Sequence, residues 1–324
     1  MSLQAGSALS LVQEREDSHA QVNSITSLPE NLDISDANVI IRSSDLVNFR
    51  VHKSVLVMAS AFFRDLLSLP QPPESESIDG IHVIQLPEDA ELLNSLVSML
   101  YPVLPVVPHS YEKLLYLLAA CQKYDMVQVQ SFIRDKVNCD YPAPVGTEAF
   151  RAYAIASSKG LIPEMEMAAR LTLDHPMTFE TLGDALRLFD GCALRNLARF
   201  RKLRRDSLVR CLGTYLKVDA SGPSSIWIGC HDATRSLRKK SDVLPNWLRQ
   251  VLSRDKDILK LQVFTHPLPT PSSICGEYLA TIQNHTGCTF CSGVYLMKGS
   301  TFFTELKNKL ALARDQVPTP FPRF

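Results

Sequence analysis

Apolar and polar positions change period several times along this chain. From residue 38 to 51 the pattern is strand-like. Asn38-Val-Ile-Ile-Arg42 is a short β-branched run, and Leu46–Val51 alternates at Phe49 and Val51. Ser43-Ser44-Asp45 between them is turn chemistry, so the stretch predicts a β-hairpin. At Lys53 the period lengthens. Apolar residues at 55, 56, 59, 62, 63, 66 and 67 give the rhythm of a helix or helix pair packed on a core, reaching Ser68. Pro70, Pro72 and Pro73 end it and open a loop of Glu and Ser up to Gly80. His82–Leu86 predicts another strand. From Asp89-Ala90 the apolar positions 92, 93, 96, 97 and 100 predict a helix, and Tyr111–Tyr124 and Val127–Asn138 predict two more.

Tyr141-Pro-Ala-Pro144 reads as a boundary. Strand signals vanish beyond it. Glu148–Ser157, Pro163–Asp174, Thr178–Phe189 and Arg195–Leu216 all carry helical patterns, and Ser221-Gly222-Pro223 is a second break. Five regions follow. They are a disordered leader (1–32), a compact α+β domain (33–140), a helical extension (145–220), a C-terminal helical region (225–314) and a tail (315–324).

Composition narrows the classes. At 324 residues with 45% hydrophobic and 21% charged residues, the chain is ordinary for about two globular domains. Its formal net charge is zero, so bulk charge points neither to nucleic acid nor to a membrane surface. No stretch approaches 18 consecutive apolar residues, and no basic start leads into an apolar core. The expected location is cytoplasmic or nuclear. Eight cysteines are then expected as reduced thiols or metal ligands.

The run Phe49-Arg-Val51-His52-Lys53, continued by Leu56, Ser60 and Phe63, resembles the signature of the BTB/POZ domain, a protein-interaction fold. The turn Leu86-Pro87-Glu88-Asp89 and the pair Leu100-Tyr101 extend that resemblance over roughly residues 34–140. Arg42-Ser-Ser-Asp45 with Leu100-Tyr101-Pro102 is similar to BTB proteins expanded in mushroom-type fungi, and the later helices resemble the extension that often follows a BTB domain. Many dimeric members pair an acid at the start of the first strand with a basic residue after the signature His, in a pocket at the dimer interface. The resemblance places Lys53 at the basic position and Asn38 at the acidic one, with Asp36 two residues away. Asn38, His52 and Lys53 are therefore the candidate binding residues. Asn can hydrogen-bond Lys but not neutralise it. Members that recruit cullin scaffolds carry a hydrophobic-x-Glu element after the second helix. Here Leu69-Pro-Gln-Pro-Pro-Glu74-Ser-Glu76 puts Pro72 and Glu74 at the anchor positions, so the sequence does not support a cullin adaptor.

Three other features carry chemistry. His52 has no nucleophile or acid in a recognisable catalytic context, and no hydrolase, metalloprotease, P-loop or dinucleotide fingerprint occurs, so no enzyme is expected. Cys288-Thr-Phe-Cys291 is a C-x-x-C knuckle preceded by His285, with Cys230-His231 58 residues upstream of Cys288. Cys230, His231, Cys288 and Cys291 could hold a structural zinc ion, with His285 as an alternative ligand; the competing reading is ordinary buried thiols. Arg195, Arg199, Lys202 and Arg205 recur on one helix face with Arg201 and Arg204 beside it. Such a stripe could bind nucleic-acid phosphates in a transcriptional regulator, but a solvated face is favoured, since no aromatic interleaving accompanies it. The expectation is a homodimeric protein-interaction module with protein partners.

Overall fold

A computed structural model describes residues 35–70, 76–216, 246–261, 266–276 and 300–315. The chain divides into two compact units, Met1–Pro142 and Ala143–Phe324.

The first unit is built on a mixed four-stranded sheet. Strands β1 (Val39–Arg42), β2 (Asn48–Val51), β3 (Ser77–Ile78) and β4 (Ile81–Gln85) lie in the order β2-β1-β4-β3. β1 pairs antiparallel with β2, Val39 opposite Val51, and parallel with β4, Val39 opposite His82. This central position explains why all four residues of β1 are buried, with Val39, Ile40 and Ile41 a continuous apolar run rather than an alternating one. The expected hairpin is present. The Glu/Ser loop holds a second one: Asp79 and Gly80 both have positive φ, 53° and 76°, and turn β3 back onto β4. An Asp-Gly pair with both residues left-handed is the hairpin turn that matches strand twist.

The helical run after Lys53 is a pair, α1 (Lys53–Ala59) and α2 (Ala61–Ser68). Ser60 makes the break. Its backbone is extended, its Oγ accepts from the Phe63 amide at 3.0 Å, and that same hydroxyl donates to the Tyr124 carbonyl at 2.5 Å. Leu56, Phe63 and Leu67 face the core. Helices α3 (Ala90–Ser98), α4 (Tyr111–Lys123) and α5 (Val127–Asp140) complete the unit. Asp89 and Ser110 cap α3 and α4 through the Leu92 and Lys113 amides, as short polar residues do at helix starts. Leu114, Leu117 and Leu118 of α4 are fully enclosed.

The described residues of the second unit are helical. They comprise α6 (Thr147–Ser158), α7 (Ile162–Leu171), α8 (Phe179–Leu182) and α9 (Gly191–Leu216), with 3-10 turns at Thr172–Asp174 and Gly183–Leu188. Then come α10 (Asn246–Leu261), α11 (271–276) and α12 (Ser300–Asp315). The 26-residue α9 is the spine, packing against both α10 and α12. Its buried stripe is Leu197, Phe200, Leu208 and Leu212, and three arginines share it.

Candidate functional site

The sequence-predicted binding residues converge where β1, β2 and α1 meet. His52 is the residue before α1, and its ring is clamped on both sides. The Tyr101 hydroxyl lies 3.0 Å from Nδ1 and accepts from the His52 amide at 2.9 Å, while Asp36 Oδ1 lies 2.8 Å from Nε2. One arrangement satisfies all three contacts. Tyr101 accepts from the amide and donates to Nδ1, leaving Nε2–H to donate to Asp36. Tyr101 is buried, and loss of hydration raises its phenol pKa. His52 thus ties the strand–helix corner to the segment after α3, which is a structural role.

Asn38 and Lys53 also meet, but not as a side-chain pair. Asn38 Oδ1 accepts from the Lys53 backbone amide at 2.8 Å, which anchors the start of α1 to β1. The Lys53 ammonium turns away and donates to the Leu67 carbonyl near the end of α2 at 2.9 Å. The acid of this corner, Asp36, engages His52 rather than Lys53.

The surface of the helix pair is apolar where the repeat predicts core. Phe62 is in the apolar rhythm, yet it is only partly covered, with its ring 5.3 Å from that of Tyr124. Met58 on α1 is 83% exposed, and Leu69 after α2 is exposed as well. Met58 falls outside the 55/56/59/62/63 rhythm, and that mismatch was the available sequence signal. Leu104, in the proline-rich segment after α3, is 90% exposed.

Of the hydrophobic-x-Glu positions, Pro72 and Glu74 lie outside the described residues. Glu76 is engaged: its Oε1 accepts from Arg42 Nη1 at 2.6 Å.

The basic stripe of α9 requires correction. Arg195, Arg199 and Lys202 are exposed, but Arg205 is buried, as are Arg201 and Arg204. The three share the helix face of Leu197, Phe200 and Leu208, so their stems pack in the interior, and the guanidinium groups of Arg201 and Arg204 meet backbone carbonyls. Arg201 donates to the Thr172 and His175 carbonyls, the latter at 2.7 Å. Arg204 donates to the Arg314 carbonyl and stacks over Phe200. Burial pulls the Arg201 pKa down to about 10, against the opposing pull of Asp174. These side chains do not form a phosphate-binding stripe.

Cys230, His231, His285, Cys288 and Cys291 lie outside the described residues. Among the described residues, no group of three or more His, Cys, Asp or Glu side chains is placed to hold a metal ion, and no helix is long and apolar enough to cross a membrane.

Residues 28–138 match the family model of the BTB/POZ domain, so the small sheet with its surrounding helices is a BTB/POZ domain, followed by a helical C-terminal region. No curated protein matches the chain.

Proposed function

We propose that this protein is a scaffold that self-associates through its BTB/POZ domain and thereby presents its partners in pairs. The coarse function, a protein-interaction module, follows from the domain itself. The finer reading rests on one observation. Met58, Phe62 and Leu69 expose apolar surface along α1 and α2, and the Lys53 ammonium donates to the Leu67 carbonyl. Clustered exposure of large apolar side chains is a mark of association surfaces. The resemblance to dimeric members places the Asn38–Lys53 corner at such an interface. There, Lys53 of one copy would find an acid on the other. A standard interface of this kind buries about 1,600 Å² in total.

The reading carries no catalytic role and a location in the cytoplasm or nucleus. Its likeness to BTB proteins expanded in mushroom-type fungi rests on Arg42-Ser-Ser-Asp45 and Leu100-Tyr101-Pro102. No observation favours the cullin-adaptor reading, and co-purification with a cullin would be needed to raise it.

Light scattering of the full chain at tens of micromolar tests the proposal. The expected mass is twice 36.2 kDa. Met58→Glu places a charge on an exposed site that a monomer tolerates, and it should return the mass to that of one chain. Lys53→Glu should weaken the dimer. A wild-type protein that is monomeric throughout, or a Met58→Glu dimer of unchanged strength, refutes the assignment.

A further inference from the structure

A cavity of about 310 Å³ opens in the second unit where α9, α10 and residues 266–276 meet, a volume at the lower end of small-molecule sites. Its walls are largely apolar, formed by Leu173, Ile258, Leu259, Leu268 and Ile274. The Leu268 amide donates to the Leu173 carbonyl at 2.7 Å, which pins residues 266–276 against the 3-10 turn.

The two arginines of this wall contribute their stems rather than donors. Arg201 and Arg205 both line the cavity. The Nη1 and Nη2 of Arg201 are taken by the Thr172 and His175 carbonyls, and its Nε is sealed from solvent. In Arg205, Nε and Nη1 are sealed as well, and Nη2 meets Asp206 at 3.5 Å. Long aliphatic stems cover apolar surface in this way while the charged heads are held elsewhere.

The unused polar capacity lies at Asp255. Asp255, Ile258 and Leu259 follow i, i+3, i+4 on α10, so one face of that helix turns to the cavity. The Asp255 side chain is only 12% exposed. Its Oδ1 has two long contacts, both at 3.4 Å, from the adjacent Arg254. Its Oδ2 keeps accessible surface and takes no hydrogen bond among the described residues. A carboxylate accepts and does not donate, and leaving its oxygen idle in an apolar wall is unfavourable. What this wall lacks is a donor. Arg254 already brings a cation to Asp255, and Arg201 and Arg205 stand in the same wall, so a further cation is opposed and a neutral N–H or O–H is favoured. At about 30 Å³ per non-hydrogen atom, the volume takes on the order of ten such atoms.

We propose that this cavity binds a small neutral molecule with an apolar body and one N–H or O–H group, the body against Leu173, Leu259, Leu268 and Ile274 and the donor on Asp255. A hydrogen bond to a charged acceptor is worth more than one between neutral groups, so the donor sets the preference among ligands of equal size.

Isothermal titration of the full chain with indole tests this. Benzofuran, which has the same size and no donor, is one comparison, and 2-aminoindane, a cation of similar size, is the other. Indole should bind saturably at one site per chain. Benzofuran should bind at least about tenfold more weakly, the loss expected for one hydrogen bond to a charged acceptor. The amine should bind no more tightly than indole. In Asp255→Ala, with circular dichroism confirming that the variant is folded, indole and benzofuran should bind alike. Ile258→Trp fills the cavity from a partly exposed position and keeps Asp255, so it should abolish binding even where Asp255→Ala fails to fold. The proposal is overturned by non-saturable binding, by indole and benzofuran binding alike to the wild type, by a difference between them that persists in Asp255→Ala, by tighter binding of 2-aminoindane, or by undiminished binding to Ile258→Trp.

Discussion

Replacing Ser60 by Ala removes one hydroxyl that performs two tasks inside the BTB/POZ domain. Ser60 is 1% exposed. Its Oγ caps α2 by accepting from the Phe63 amide at 3.0 Å, and it donates to the Tyr124 carbonyl at 2.5 Å. Loss of a serine cap costs about 1 kcal/mol. A buried carbonyl that loses its donor adds about 1–3 kcal/mol. The expected destabilisation is therefore about 2.5 kcal/mol, equivalent to roughly 60-fold faster exchange for amides that open with α1 and α2. Hydrogen exchange read by mass spectrometry on peptides covering residues 53–68 measures this locally, so the second unit does not enter the comparison. Ser68→Ala is the control: its hydroxyl donates to the Asp65 carbonyl at an exposed site, and its loss should stay within about 0.5 kcal/mol. Should Ser60→Ala exchange no faster than Ser68→Ala, the idea that this hydroxyl holds the helix break against α4 is wrong.

The phenols of Tyr101, Tyr124, Tyr153 and Tyr215 all have pKa values raised by burial, that of Tyr124 further by Glu88. The folded state holds these protons more tightly than the unfolded chain, in which tyrosine ionises near 10. Stability is therefore unaffected by these groups below about pH 10 and falls as pH rises above it. Ultraviolet titration should show these four silent at pH 10 and ionising together with unfolding; smooth titration of all nine tyrosines near 10 would contradict it. Cys192 is exposed, whereas burial pushes the Cys121 and Cys275 thiols up to about 12 and about 11. Iodoacetamide mapped by mass spectrometry on native protein should label Cys192 well ahead of those two. For the zinc expectation, elemental analysis should find about one zinc per chain, lost in Cys288→Ser, if Cys230, His231, Cys288 and Cys291 supply four ligands. Metal-free protein of unchanged stability would leave the knuckle as a pair of thiols.

Period and turn chemistry marked the local elements, and the resemblance of the Phe49–Phe63 run to the BTB/POZ signature supplied their arrangement. The hairpin at 38–51, the helices from Asp89 and Tyr111, and the helical character after Tyr141 follow from residues close in sequence, which is where propensity and capping act. The Asp79-Gly80 hairpin was missed: the dipeptide carries its own turn, but the Glu- and Ser-rich stretch before it reads as loop. The sequence alone could not say which apolar residues remain uncovered. Phe62 and Phe63 are adjacent apolar positions, and Tyr124, about sixty residues away in sequence, brings its ring within 5.3 Å of both, yet Phe63 is enclosed and Phe62 is not. Charge on a helix face is ambiguous for the same reason. Arg205, with Arg201 and Arg204 beside it, reads as part of a basic stripe with Arg195, Arg199 and Lys202 until α9 is seen packed against α10 and α12 with those three arginines buried. Arginine has an aliphatic stem long enough to cross a core, and its head finds carbonyls supplied by distant turns. Only the tertiary structure brings the Thr172 and His175 carbonyls to Arg201.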